Sequence, residues 1–317
     1  MEMKKPVSVR DVYGDCLVEL GSENPEVVVL DADLSGSTRT KKFGDKFPSR
    51  FFNMGVSEMS MVATASGLAV AGKIPFASTF AIFMAGRALE VVRQSVAVPN
   101  ANVKLVASHG GVTVGEDGGS HQMLEDLANM RVLPNMAVLV PADANEMRAI
   151  VRTIVAHRGP VYVRMSREPF PTLYDTPPAF RLGKADELRA GSDLTFVACG
   201  RLVWEALEAA DRLQATGVSA RVLNYSSIKP IDRPALVRAA TETGAVVTAE
   251  EHFRAGGLGS AVAEVLVEEH PVPMRIVGVD DQFGRSGKPQ QLLEHFGLTA
   301  KTLVHAAEEV LKLKRRT

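Results

Sequence analysis

The stretch "EVVVLDAD", residues 26–33, places four aliphatic residues in succession before it ends on an acid, Asp33. A strand with one wet face alternates apolar and polar side chains, whereas a strand buried on both faces stays apolar throughout. The run therefore predicts an interior strand of a parallel sheet. The same signature returns in "VKLVAS" (103–108), "MAVLVP" (136–141) and "VYVRMS" (161–166). Between these runs, helical patterns cover 8–20, 57–71, 84–97 and 143–157. In "DANEMRAIV", Asp143 stands at an N-cap position with Glu146 three residues on, the spacing of a capping box. Strands alternating with helices predict a parallel sheet wrapped by helices.

The pattern breaks at "TLYDTPPAFRLGKADE", which carries prolines and no periodicity, then resumes in "LTFVACG", "SARVLNYSS", "AVVTAEE" and "MRIVGVD". The fold class expected is α/β, with two domains, each a mostly parallel sheet flanked by helices. The boundaries expected are 1–175, a linker over 176–189, and 190–317. The closing pattern "AKTLVHAAEEVLKLKRR" ends in cations that suit a helix C-terminus.

Composition narrows the function classes. The chain has 317 residues, enough for two domains of about 150. With 36 Lys and Arg against 37 Asp and Glu, its formal net charge of -1 provides no global field for nucleic acid. A local cationic pocket for one phosphate is still allowed. The two cysteines, Cys16 and Cys199, read as reduced, buried small hydrophobes of a cytosolic protein. The N-terminus lacks the apolar run of a secretory signal, and no segment is apolar enough to span a membrane.

One loop stands apart. "SHGGVTVGEDGGSHQ" (108–122) sets His109, Glu116, Asp117 and His121 among five glycines. Each interior glycine costs a helix about 1 kcal/mol relative to alanine, so a loop is expected, with backbone passing close to something and side chains able to move protons. Two other readings stand beside it. A metal site requires ligands presented together, and the Asp117/His121 spacing does that only on a helix the glycines disfavour. The alternative is a solvated turn with incidental histidines. Elsewhere, "GRSGKP" (284–289) fails as a phosphate loop because Gln282 and Pro289 replace required residues, and "GGLGS" (256–260) reads as a turn into a helix starting near Ser260. Upstream, Glu58 opens an otherwise apolar helix. It is either an acid favoured by the helix dipole or a carboxyl in apolar surroundings, where desolvation raises its pKa toward neutrality.

Taken together, "GVSEMSM" (55–61), "STFAIF" (78–83), the 108–122 loop, "LPNMAVLVPADANE" (133–146) and "YVRMSRE" (162–168) resemble the C-terminal half of transketolase, a thiamine-diphosphate enzyme. "SIKPID" (227–232), "EEHFRAGGLGSAVAE" (250–264) and "VDDQFGRSGKPQQLLEHFGLT" (279–299) are similar to its C-terminal domain, so the resemblance covers essentially the whole chain. It implies that Glu58 hydrogen-bonds the aminopyrimidine of thiamine diphosphate and shares the proton that activates the cofactor. Phe80 and Phe83 match aromatics that pack on the pyrimidine, and Asp33 an acid beside it. His109 and His121 match substrate-site histidines, and Asp117 the acid that recognises a donor hydroxyl. Arg10, Ser37 and Arg167 match phosphate ligands.

Three positions depart from the family pattern: Gly110 replaces a usual Asp, Gly119 a common Pro, and Gly86 a third aromatic on the pyrimidine. The first two leave the substrate loop looser. A larger departure is an absence, since the family holds the diphosphate and its Mg2+ or Ca2+ on a separate domain carrying Gly-Asp-Gly. Here Gly-Asp occurs only in "YGDCL" and "FGDKF", without the third glycine. The resemblance therefore implies an N-terminal partner subunit and a two-plus-two heterotetramer, with this chain as the C-terminal subunit of a split transketolase acting on ketose and aldose phosphates. Alternatives are a split 1-deoxyxylulose-5-phosphate synthase, a 2-oxo acid dehydrogenase β-subunit, or a non-catalytic assembly subunit.

Overall fold

A computed structural model of the chain describes residues 6–315. Seven strands form the first sheet, in the order 227–229, 137–139, 161–164, 104–108, 74–80, 27–31 and 51–53. All neighbours are parallel except the 227–229 strand, which runs antiparallel to 137–139. The interior strands are buried along nearly their whole length, as the unbroken apolar runs require. The second sheet has five strands, ordered 274–279, 246–253, 194–198, 220–224 and 186–189, with only the last antiparallel.

The helices form where the sequence periodicity places them. Val9–Glu23 is capped by Ser8, whose hydroxyl accepts from Asp11 N. Ala144–Ala156 is capped by Asp143, which accepts from Glu146 N at 2.7 Å. Only this half of the expected capping box forms, because the Glu146 side chain accepts from Ala142 N at 2.6 Å instead. Arg148 and Arg152 on that helix pair with Glu19 on the first. The last helix, Ala300–Lys314, is capped by Thr299. The regular helix expected over 84–97 is corrected: two π-helical segments, Phe83–Arg87 and Val92–Ala97, flank the short α-turn Leu89–Val91. Such wide turns re-aim side chains and recur at functional sites. The helix after "GGLGS" starts at Leu258, two residues before the expected Ser260.

The two sheets are locked together rather than strung apart. Ser227–Lys229 follows a strand of the second sheet yet joins the first, while the edge strand Asp186–Arg189 continues the irregular 172–185 stretch into the second sheet. One apolar core runs from Val28 and Leu30 through Tyr162 to Val197, Leu223 and Leu258, spanning both sheets. Cys16 and Cys199 are free and buried. Among the described residues, no helix is long and apolar enough to cross a membrane.

Glu146 is a polar tie across this junction. It is 2 % exposed and accepts from Asn224 Nδ2, on the second sheet, at 2.8 Å, and burial pushes its carboxyl up to about 7. Asn224→Ala removes that donor and leaves a buried acceptor short of a partner. The expected loss is about 1–3 kcal/mol of stability, read as a lower urea midpoint with unchanged slope.

Candidate active site

Parallel strands deliver their C-terminal ends to one edge, and in open α/β sheets ligands bind outside that edge. Phe80 ends the 74–80 strand, Ser108 and His109 follow from 104–108, Asp33 follows 27–31, and Arg167 follows 161–164. Strand register sets them side by side, since Phe80 pairs with Ser108 and Ala107 with Arg164.

An aromatic cluster forms at this edge. The Phe80 ring stacks on the His109 imidazole at 3.7 Å between centroids and on Phe83 at 5.9 Å. His121 meets both phenyl rings edge-on at 6.1 and 5.9 Å. His109 holds a left-handed backbone at φ 64°, costing of order 1 kcal/mol or more in a residue with a side chain. Its surroundings fix it there: Ser108 Oγ lies 2.9 Å from its Nδ1, and the ring is 3 % exposed. Burial, reinforced by Arg10, Arg167 and His121, lowers the imidazole to about 3, so it is neutral at physiological pH.

Glu58 opens the helix Glu58–Val70 and is 1 % exposed. The expectation of a carboxylate in purely apolar surroundings is corrected. Arg87 Nη1 donates to its Oε2 at 3.1 Å, and the same guanidinium lies 5.1 Å over the Phe83 ring. Arg87 thus links Glu58 to the aromatic cluster, because the π-turn carries Phe83 and Arg87 together. Asp33, exposed and at φ 64°, accepts from Asn53 Nδ2 at 3.0 Å and donates its backbone N–H to the Asn53 amide oxygen at 3.1 Å. Asn53 also accepts from Gly55 N, which ties Asp33 to the turn entering Glu58.

The expected anion ligands also converge, each already engaged with protein groups. Arg10 donates to the Ser37 carbonyl at 2.7 Å and to the Arg167 carbonyl at 2.9 Å; the Ser37 contact is through its backbone. Arg10 Nε is buried without a hydrogen-bond partner. Arg167 donates to the Val114 carbonyl at 2.6 Å and pairs with Glu116 at 3.2 Å. Asp117, exposed, ends the 3-10 turn Val112–Asp117.

The 108–122 loop is clamped rather than loosened at its unusual glycines. A Cβ at Gly110 would overlap the Arg164 guanidinium, and one at Gly119 would sit 2.6 Å from the Gly284 carbonyl oxygen in the second domain. At Gly86 nothing lies within 4 Å of the Cβ position, so the place of the missing third aromatic is open. Sequence reasoning missed Arg87, Ser108, Gln122, Arg164 and Glu251. Arg87 was signalled only by its four-residue spacing from Phe83, and Ser108 by its adjacency to His109. Sequence alone gave no sign that Arg164 and Glu251 approach the loop. Among the described residues, no three His, Cys, Asp or Glu side chains are grouped to hold a metal ion.

Residues 5–172 match the transketolase pyrimidine binding domain and residues 183–303 the transketolase C-terminal domain. The chain is 46% identical to the 6-deoxy-6-sulfo-D-fructose transketolase subunit SqwH of Clostridium sp. (strain MSTE9), covering 96% of this chain and 95% of that one. It is 38% identical to an apulose-4-phosphate transketolase subunit of Phocaeicola vulgatus, covering 96% and 98%. The solved structure of a split gene transketolase, an inactive beta4 tetramer, superposes with a TM-score of 0.91 at 54% identity, covering 97% of this chain and 99% of that one. With both of its halves matched and these three proteins matched nearly end to end, the chain belongs to the transketolase family, on the side of the split, C-terminal subunits.

Proposed function

We propose that this chain is the C-terminal subunit of a split transketolase that moves a two-carbon ketol unit between ketose and aldose phosphates. The observation that carries the reading is the convergence, at the C-terminal edge of one parallel sheet, of buried Glu58, the Phe80/Phe83 stack, His109, His121 and the Arg10/Arg167 pair. The residues fit the pyrimidine end of thiamine diphosphate. A flat heteroaromatic ring with polar edges asks for apolar faces and an acid, which Phe83, Phe80 and Glu58 provide beside the open space at Gly86. When bound, the cofactor supplies the nucleophilic carbon that takes up the ketol unit. The diphosphate and its divalent cation, Mg2+ or Ca2+, would be held by an N-terminal partner subunit in a two-plus-two assembly; the likeness to named subunits and to a split-gene product supports this.

In this reading Glu58 shares a proton at the pyrimidine edge once Arg87 releases it, and Asp33 stands beside the cofactor. His109, neutral at working pH, serves as a hydrogen-bond donor and acceptor toward sugar oxygens. His121, edge-on to Phe80 and Phe83, assists proton transfer. Asp117 reads a donor hydroxyl, and Arg10, Ser37 and Arg167 face the anionic end of the sugar. The 46% identity to a 6-deoxy-6-sulfofructose transketolase subunit favours a second reading of the donor, with a sulfonate in place of the phosphate. Either tetrahedral anion suits a guanidinium pair.

Glu58→Gln, which cannot cycle a proton, should lower kcat of the reconstituted complex by about 10²-fold or more with an unchanged melting temperature; near-normal turnover refutes the assignment. Arg167→Ala should raise KM for phosphorylated or sulfonated sugars about tenfold or more over its effect on neutral sugars, and equal effects on both would remove the anion role. The purified chain without its partner should show no thiamine-dependent turnover. A pH test concerns His109, whose unfolded imidazole titrates near its ordinary 6.5 and whose folded imidazole titrates at about 3. The unfolded chain therefore binds more protons between these values, so this contribution is complete above about pH 6.5 and drains as pH falls. Between about pH 7 and pH 5, His109→Gln should spare on the order of 2 kcal/mol of the stability that the parent loses, measured by urea titration at each pH.

A further inference from the structure

The loop that carries His109, Asp117 and His121 belongs to the first domain and is held there by Arg164 and Arg167, yet further anchors come from the second. The strand Val246–Phe253 grips both ends of it. At one end, Glu251 Oε1 accepts from Thr113 N at 2.5 Å. At the other, Phe253 N donates to the Leu124 carbonyl at 2.8 Å. The loop closes on itself between them, through Gly111 N to the Met123 carbonyl at 2.9 Å. Gln122 Nε2 ties the Val112 and Gly115 carbonyls to the Arg285 carbonyl of the second domain.

Glu251 is the only side chain of that strand whose carboxylate reaches the first turn of Val112–Asp117 among the described hydrogen bonds. It is 7 % exposed, and a Cβ at Gly111, which holds φ 92°, would overlap its carboxyl group. The neighbouring Arg164 charge attracts Glu251 but has Asp126 as its first counter-ion. Arg164 pairs with Asp126 at 3.2 Å, which in turn accepts from Tyr162 OH at 2.7 Å. Arg164 also donates to the Met123 and Glu251 main-chain carbonyls. The Glu251 side chain is therefore placed to hold the loop by reach.

We propose that Glu251 is a positioning residue for the substrate loop: by accepting the Thr113 N–H it fixes the turn between His109 and Asp117, so the second domain sets the geometry of a site it does not line. Three residues separate Thr113 from His109, whose strained backbone must be held from both sides to keep its ring on Phe80. The inference rests on the proposed two-carbon transfer for its kinetic arm and on the isolated chain for its structural arm.

The test separates reach from charge. Glu251→Gln keeps an oxygen at the same distance and loses the charge; Glu251→Asp keeps the charge and is one methylene short. In the isolated chain, amide hydrogen exchange over 109–118 should quicken at least tenfold in the Asp variant and stay at the parent rate in the Gln variant. In the complex with the N-terminal subunit, kcat should fall about tenfold or more for Asp and stay within about threefold for Gln. Thiamine diphosphate Kd should hold within about twofold in both, because Glu58 and Phe83 lie on other elements. An Asp variant with parent-like exchange overturns the proposal, and so does a Gln variant as impaired as the Asp one. A parent complex without two-carbon transfer would sink the functional reading alone, and the exchange pattern would still decide the role of Glu251.

Discussion

Parallel pairing of the 27–31, 74–80, 104–108 and 161–164 strands is the constraint on which the site depends. Each strand, buried on both faces, satisfies its backbone only by pairing in register. Once register is fixed, every chain exit is fixed too. Phe80 must lie beside Ser108, and the turn after Arg164 must bring Arg167 toward Arg10. Residues 157 positions apart meet because the sheet leaves the chain no other direction in which to emerge.

That edge by itself would present a flexible glycine loop. Packing removes the freedom by occupying the space glycine leaves. Arg164, from the first sheet, fills the place of a Gly110 side chain; from the second domain, the Gly284 carbonyl fills that of Gly119 and the Glu251 carboxyl that of Gly111. The glycines are thus a packing requirement of the domain junction. The antiparallel addition of Ser227–Lys229 to the first sheet and the shared core through Val197 and Leu223 hold the junction rigid enough for this to matter.

Much of this is legible in the sequence, for identifiable reasons. Unbroken apolar runs announce interior parallel strands, which is why the 27–31, 104–108, 137–139 and 161–164 strands can be read; the edge strand Phe51–Asn53, half-exposed and three residues long, carries no such signal. The 74–80 strand is hidden by Pro75 and by its small polar residues Ser78 and Thr79, which are nonetheless buried. The capping position of Asp143 is readable, but the Glu146 side chain turns to Ala142 N and Asn224 because a partner from the second sheet outcompetes the local one. The π-turns of 83–97 are invisible to a periodicity built on 3.6 residues. Arg87 escapes notice because a cation four residues after an aromatic reads as an ordinary wet face.

The Glu58–Arg87 pair satisfies a buried carboxylate within this chain alone. A carboxylate at 1 % exposure with no donor would cost several kcal/mol, and in the proposed reading the isolated chain has no pyrimidine ring to satisfy it. Arg87 meets that need from a position 51% exposed. The asymmetry decides which partner can move. Arg87 can return to water at little cost, since an exposed guanidinium stays hydrated and its aromatic contact with Phe83 is worth about 1 kcal/mol. Glu58, buried at the first turn of its helix, has no comparable exit. A ligand offering a donor to Glu58 therefore has to displace only the mobile member of the pair, while the carboxylate stays where the helix and the sheet edge have put it.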